Sequence, residues 1–130
     1  MHFSWLFNWA GKPWLTQQRN HDIVDRYYGF GVSNASLGDE DQGQMSAWFV
    51  MSALGLFQTD GGTRAEPTYA IVSPLFERVE IDLGERYGRG QTFVIVAEHP
   101  SRADKYVQSA TLNGKPLTTF WFLARKLWGE

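Results

Sequence analysis

The sequence predicts an α+β fold in which helices come first and an antiparallel β segment follows. Three observations predict it. Apolar residues recur at helical spacing as far as residue 54, the period changes to two beyond the Asp60-Gly61-Gly62 turn, and Asn113-Gly114 supplies a strong hairpin signal late in the chain. The shift in composition near residue 60 divides the chain into two layers, 1–56 and 57–130.

Residues 3–10 are apolar almost all round (Phe3, Trp5, Leu6, Phe7, Trp9, Ala10), which predicts the end of a buried helix stopped by Gly11 and Pro13. A second helix is expected with Thr16 as N-cap and Ile23, Val24 and Tyr27 in one stripe, fading at Tyr28-Gly29-Phe30-Gly31. Residues 32–43 read as a loop rich in Ser, Asn, Gly and acidic groups. The third helix is expected from about Gln44 to Leu54. Met45, Trp48, Phe49 and Ser52 share its spacing, and Gly55 stands where a left-handed residue ends a helix.

In the second layer Tyr69–Ser73, Val79–Leu83, Thr92–Ala97 and Tyr106–Leu112 read as strands separated by Pro, Gly or charged turns, which predicts an antiparallel sheet. Asn113-Gly114 suits a type I′ turn, where both central residues need positive φ. Gly84 and Gly88-Arg89-Gly90 read as a strand connection, because a phosphate cradle needs a strand-to-helix context.

A chain of 130 residues suits one domain. Its apolar load is heavy for that size, 43% hydrophobic and 15% aromatic, so some rings are expected to pack against protein beyond these residues. The net charge of −2, with scattered Lys and Arg, argues against a nucleic-acid partner, which calls for a basic stripe. No stretch approaches the roughly 18 apolar residues of a membrane span, and no basic region precedes the apolar N-terminus, so neither a span nor a signal peptide is expected in this sequence. The absence of cysteine excludes disulfides and thiolate metal sites.

The stretch Gly38-Asp-Glu-Asp-Gln-Gly-Gln-Met-Ser-Ala-Trp48 is the candidate seat of acid/base chemistry. Asp39 and Asp41, two apart in a loop, can project to the same side and converge on one water or cation. The adjacent helix N-terminus favours their ionised forms, as a general base requires. The alternative is structural: either carboxylate caps the helix by accepting from its free N–H groups. An EF-hand reading fails on spacing, since the glycine falls one place early at Gly43 and Val50 stands where a bidentate Glu belongs. His2, His21 and His99 are too dispersed to propose a metal site, and a lone His is usually a surface or capping residue. No Ser sits in a Gly-x-Ser-x-Gly elbow. Of the tryptophans that offer stacking faces, Trp48 is expected in the core, whereas Trp14, placed in a Pro-containing loop, is the candidate for exposure and sugar contact.

Four blocks carry a family resemblance: Phe7-Asn-Trp-Ala-Gly-Lys-Pro-Trp-Leu-Thr-Gln17, Gly38 to Trp48, Ser73-Pro-Leu-Phe-Glu77, and Tyr106-Val-Gln-Ser-Ala-Thr-Leu-Asn-Gly-Lys115. In this order they resemble glycoside hydrolase family 92, the calcium-dependent exo-acting α-mannosidases, and together they span nearly the whole chain. Gln42 stands where the family often has Cys, Gln58-Thr59 replaces a Pro-Val pair, and the segment after Trp121 lacks a common His.

The resemblance implies that residues 1–56 are the C-terminal part of an (α/α)6 barrel and residues 57–130 the antiparallel β segment after it. It implies inverting hydrolysis of terminal α-linked mannose, as on N-glycan or mannan termini, with Asp39 and Asp41 at the positions of the general base. The general acid, the Ca2+ ligands and the N-terminal part of the enzyme are expected upstream, so these 130 residues alone are expected to be inactive. A secreted or periplasmic location is implied as well. The alternative is a non-catalytic remnant, a structural or partner-binding α+β module.

Overall fold

A computed structural model describes residues 2–29, 38, 42–85 and 92–128 of the chain. A 3-10 segment, His2–Asn8, opens the fold, followed by helices α1 (Pro13–Tyr27) and α2 (Gln44–Leu54). The strands are β1 (Leu56–Phe57), β2 (Thr68–Ile71), β3 (Arg78–Asp82), β4 (Thr92–Val96), β5 (Thr111–Leu112), β6 (Lys115–Pro116) and β7 (Trp121–Leu123), with a closing 3-10 turn at Ala124–Trp128. The predicted order of helices before strands holds, and every strand pair among the described residues is antiparallel.

Several elements differ from expectation for identifiable reasons. The first segment winds as a 3-10 helix and buries only Ser4 and Trp5, so it is not apolar-buried on every side. Helix α1 begins at Pro13, whose missing N–H and fixed φ suit the first turn, and its cap position is Lys12; Thr16 is an interior residue, not an N-cap. The buried face of α1 is Thr16, Gln17, Asn20, His21 and Val24, while Tyr27 of the expected stripe is 47% exposed. Helix α2 matches its predicted bounds and ends on Gly55 in the left-handed region at φ 78°.

Among the described residues the strands form three small sheets rather than one: β1-β2-β7, β3-β4 and β5-β6. Residues 107–110 do not join a ladder; the Val107 amide donates instead to the Gln17 side chain at 2.6 Å. The hairpin turn stands as predicted, with Asn113 at φ 51° and Gly114 at φ 74° between β5 and β6. Strands β1 and β7, two and three residues long, are too short to show a period of two and went unpredicted.

One cluster, Trp5, Val24, Trp48, Ala70 and Val72, joins the first segment, both helices and β2 with the residue that follows it, with Phe57 and Leu75 packed against it. The junction of α2 with the sheet is tight. Val72 N–H donates to the Gly55 carbonyl at 3.0 Å and Leu75 N–H to that of Ala53 at 2.9 Å. A Cβ on Gly55 would lie 2.6 Å from the Val72 oxygen, so glycine is needed there both for its φ and for the close approach.

Candidate active site

The acidic stretch leads into α2. Asp39 and Asp41 themselves lie outside the described residues, so the site is built from what brackets them. Gly38 at φ 79° and Gly43 at φ 71° both occupy the left-handed region, which glycine enters without Cβ strain. Gly43 is the cap position of α2 and has no side chain to offer its N–H groups; its carbonyl accepts from Ala47 at 3.0 Å. The start of a helix carries a partial positive charge, which favours a neighbouring anion.

The two ends of this stretch are tied together by Tyr28. Standing at the C-cap of α1, Tyr28 donates its hydroxyl to the Met45 carbonyl at 3.0 Å, across seventeen positions of sequence. Its ring stacks on Trp48 at 5.7 Å and on Phe49 at 5.0 Å. The loop thus leaves α1 and enters α2 at one anchored point, which lowers the entropy left to its ends. Sequence reasoning saw Tyr28 only as the fading of a helix. The available signal was an aromatic just before a glycine-rich loop whose far side begins with aromatics four residues into a helix.

Trp48 is 2% exposed, in the core as predicted. Trp14 is 51% exposed, as predicted, but it lies in the first turn of α1 rather than in a loop. The histidines separate. His2 and His99 are exposed, whereas His21 is buried at 4% and is neither a surface nor a capping residue. Its Nε2–H donates to the Ser73 carbonyl at 3.1 Å, which fixes the tautomer and leaves Nδ1 buried without a partner among the described residues. Burial pushes its pKa below the ordinary 6.5, against raising contributions from the Ser73 carbonyl, Asp25 and Asp22. This imidazole bridges α1 to the residues after β2.

Beside it, Gln17 holds Val107, and ion pairs from Asp22 to Lys105 at 3.6 Å and from Asp25 to Arg102 fasten the same outer segment to α1. Ser4 donates to Asn20 at 2.8 Å, and Asn20 in turn donates to the Thr16 carbonyl at 2.9 Å. These polar contacts are structural. Among the described residues no three His, Asp or Glu side chains gather into a cation site. Two concavities lie in the β half, one of about 260 Å³ beside Pro67 and Ala124, flanked by the Glu66–Arg125 ion pair, and one of about 350 Å³ beside Asp82 and Thr92.

Residues 1–129 match the catalytic domain of glycosyl hydrolase family 92. A secreted glycosidase, itself uncharacterized, from Arthroderma benhamiae is 30% identical over 118 residues, which is 91% of this chain and 14% of that protein. An inverting mannosidase of the family from Bacteroides thetaiotaomicron superimposes with a TM-score of 0.82 at 37% identity, covering 98% of this chain and 16% of its own. A family α-mannosidase from the same bacterium, solved with mannoimidazole, superimposes equally well at 28% identity, covering 96% and 15%. The chain therefore spans about one-sixth of the length of these relatives.

Proposed function

Because the chain belongs to glycosyl hydrolase family 92, we propose that it carries the general-base side of a site that removes terminal α-linked mannose with inversion. The observation that supports this reading most is the 37% identity, over 98% of the chain, with an inverting mannosidase. In this reading residues 1–56 close an (α/α)6 barrel and residues 57–130 form the β segment that follows. The substrates are α-mannoside termini of N-glycans or mannans, and the enzyme is secreted or periplasmic, in keeping with the secreted fungal relative.

Inversion needs a base that takes a proton from water while that water attacks the anomeric carbon, and an acid that protonates the leaving oxygen. The two carboxyl groups stand about 6.5–9.5 Å apart so that the water fits. Asp41 is the base in this proposal, because it is nearest in sequence to the start of α2, whose partial positive charge keeps a carboxylate ionised. Asp39 orients the water, and the two titrate as a coupled pair. The Tyr28 anchor holds the ends of their loop. Trp14 offers an exposed ring to sugar. The acid belongs to the remainder of the enzyme, so the 130 residues alone turn over no α-mannoside. Calcium, where bound, would contact the sugar and aid its distortion; the described residues offer it no cluster of ligands, and no step here is routed through it.

The test is kinetic, in an enzyme containing this segment. Asp41→Asn lowers kcat on the order of 10²–10⁴-fold with KM little changed, and Asp39→Asn costs less. If Asp41→Asn leaves kcat near that of the parent, the loop is a helix cap and the assignment fails.

A further inference from the structure

The opening 3-10 segment has three rows of side chains, because three residues per turn bring positions i and i+3 into line. One row meets the sheet. His2 lies edge-on to Phe57 at 5.9 Å, Trp5 stacks on Phe57 at 5.0 Å, and Asn8 donates to the carbonyls of Ile71 and Phe120. Ser4, in the next row, donates to Asn20 of α1. The third row, Phe3, Leu6 and Trp9, is left outward, with exposures of 83%, 43% and 40%. Trp9 is partly covered by Trp121, stacked at 5.4 Å, and by the Arg64 guanidinium 5.5 Å from its ring.

We infer that this row is a packing seam, and that its occupant is an apolar segment of the same catalytic domain lying outside these 130 residues and carried on the same chain. Three observations converge on that occupant. First, the chain covers only 16% of an inverting mannosidase that it matches at a TM-score of 0.82, so most of such a domain remains to be placed around it. Second, the row exposes an area on the order of 300 Å², whereas a stable interface between free partners buries about 800 Å² on each side. A second copy must offset the entropy of association from that small area; a linked segment meets it at high effective concentration. Third, residues 3–11 contain no ionisable side chain, so the row itself carries no charge to desolvate, and the Arg64 guanidinium beside Trp9 is already paired with Asp60. The seam stands whether or not Asp41 is the base.

The chain has no cysteine, so Leu6→Cys introduces a single thiol. Its alkylation rate is measured, by mass spectrometry of its peptide, in the 130-residue protein and in a chimaera where residues 1–129 replace the matching sixth of the Bacteroides inverting mannosidase. Labelling slows by at least about 100-fold in the chimaera, as expected for a site exposed only by opening; rates within a few-fold of each other overturn the seam. Should the chimaera fail to fold, the same cysteine at the aligned position of the intact Bacteroides enzyme decides: protection supports the seam and rapid labelling overturns it. Sedimentation of the 130-residue protein tests the rival occupant. A dimer at micromolar concentration that Phe3→Asp dissolves makes the row a contact between copies instead. Mannosidase activity of the chimaera is read separately, so loss of the base assignment leaves the labelling result intact.

Discussion

Helix α1 turns Thr16, Gln17, Asn20 and His21 inward beside a single buried apolar residue, Val24, whereas α2 buries Trp48 and Ala53 with only Ser52 polar. The two helices share one core but hold it differently. The polar face of α1 reaches the Val107 amide and the Ser73 carbonyl, both in irregular chain, and the Ser4 hydroxyl of the opening 3-10 segment. Helix α2 contributes apolar area and is joined to the β layer through its backbone, at Ala53 and Gly55. Directional bonds thus position the irregular segments, and non-directional burial supplies most of the driving force.

The largest expected effect breaks the α2 side. Trp48→Ala empties a site that is 2% exposed and removes a stacking partner of Tyr28. It destabilises by about 3–5 kcal/mol, measured by denaturant unfolding, and it loosens the base of the acidic loop as well. A loss below about 1 kcal/mol would mean that α2 is not the apolar anchor described here.

Gly55→Ala attacks the junction rather than the core. The new methyl must sit at positive φ and 2.6 Å from a backbone oxygen that cannot swing aside. A loss of more than about 1 kcal/mol is expected, seen as a lower thermal midpoint. An unchanged midpoint would refute the close approach of α2 to the residues after β2.

On the α1 side, Gln17→Ala leaves the Val107 N–H without its acceptor. The expected cost is about 1–3 kcal/mol if that amide stays dry, and less if water reaches it. Hydrogen exchange separates the two helices' roles: Val107 should lose protection in this variant and keep it when α2 is altered at an exposed position such as Val50, which is 53% exposed. Equal protection of Val107 in the parent and the Gln17 variant would contradict the bond.

The gentlest perturbation is pH, and it sharpens the same contrast. Burial lowers the His21 pKa below 6.5, so the folded state binds fewer protons than the unfolded chain. Its contribution to stability is therefore undiminished above about pH 6.5, declines as pH falls below that value, and levels off below the folded-state pKa. His21→Gln should flatten this part of the stability profile relative to the parent. An unchanged profile would show that some other group governs it.

Much of this arrangement was legible in the sequence. The apolar spacing of α2 and its closing glycine fixed its bounds, the alternation in β2, β3 and β4 marked strands, and Asn113-Gly114 marked a turn whose φ requirement few other pairs meet. These signals are local, arising from steric and periodic rules within a few residues. The Gly38–Trp48 motif also marked the candidate site, since a glycine-bounded acidic loop before a helix is visible as residue order alone.

What the sequence by itself determined, then, is what neighbours in the chain decide: element type, the helix-to-strand order, the tight turn and the family motifs. Tertiary structure decided which polar residues of α1 go inside: His21 reads as a surface or capping residue until Ser73 arrives from far along the chain, and Gln17 gains its partner Val107 in the same way. It divided the described strands into three sheets, and it turned the Val107 amide to a side chain instead of a ladder. It also chose which apolar row of the first segment meets Phe57 and which is left outward, a choice made by partners that no local period encodes.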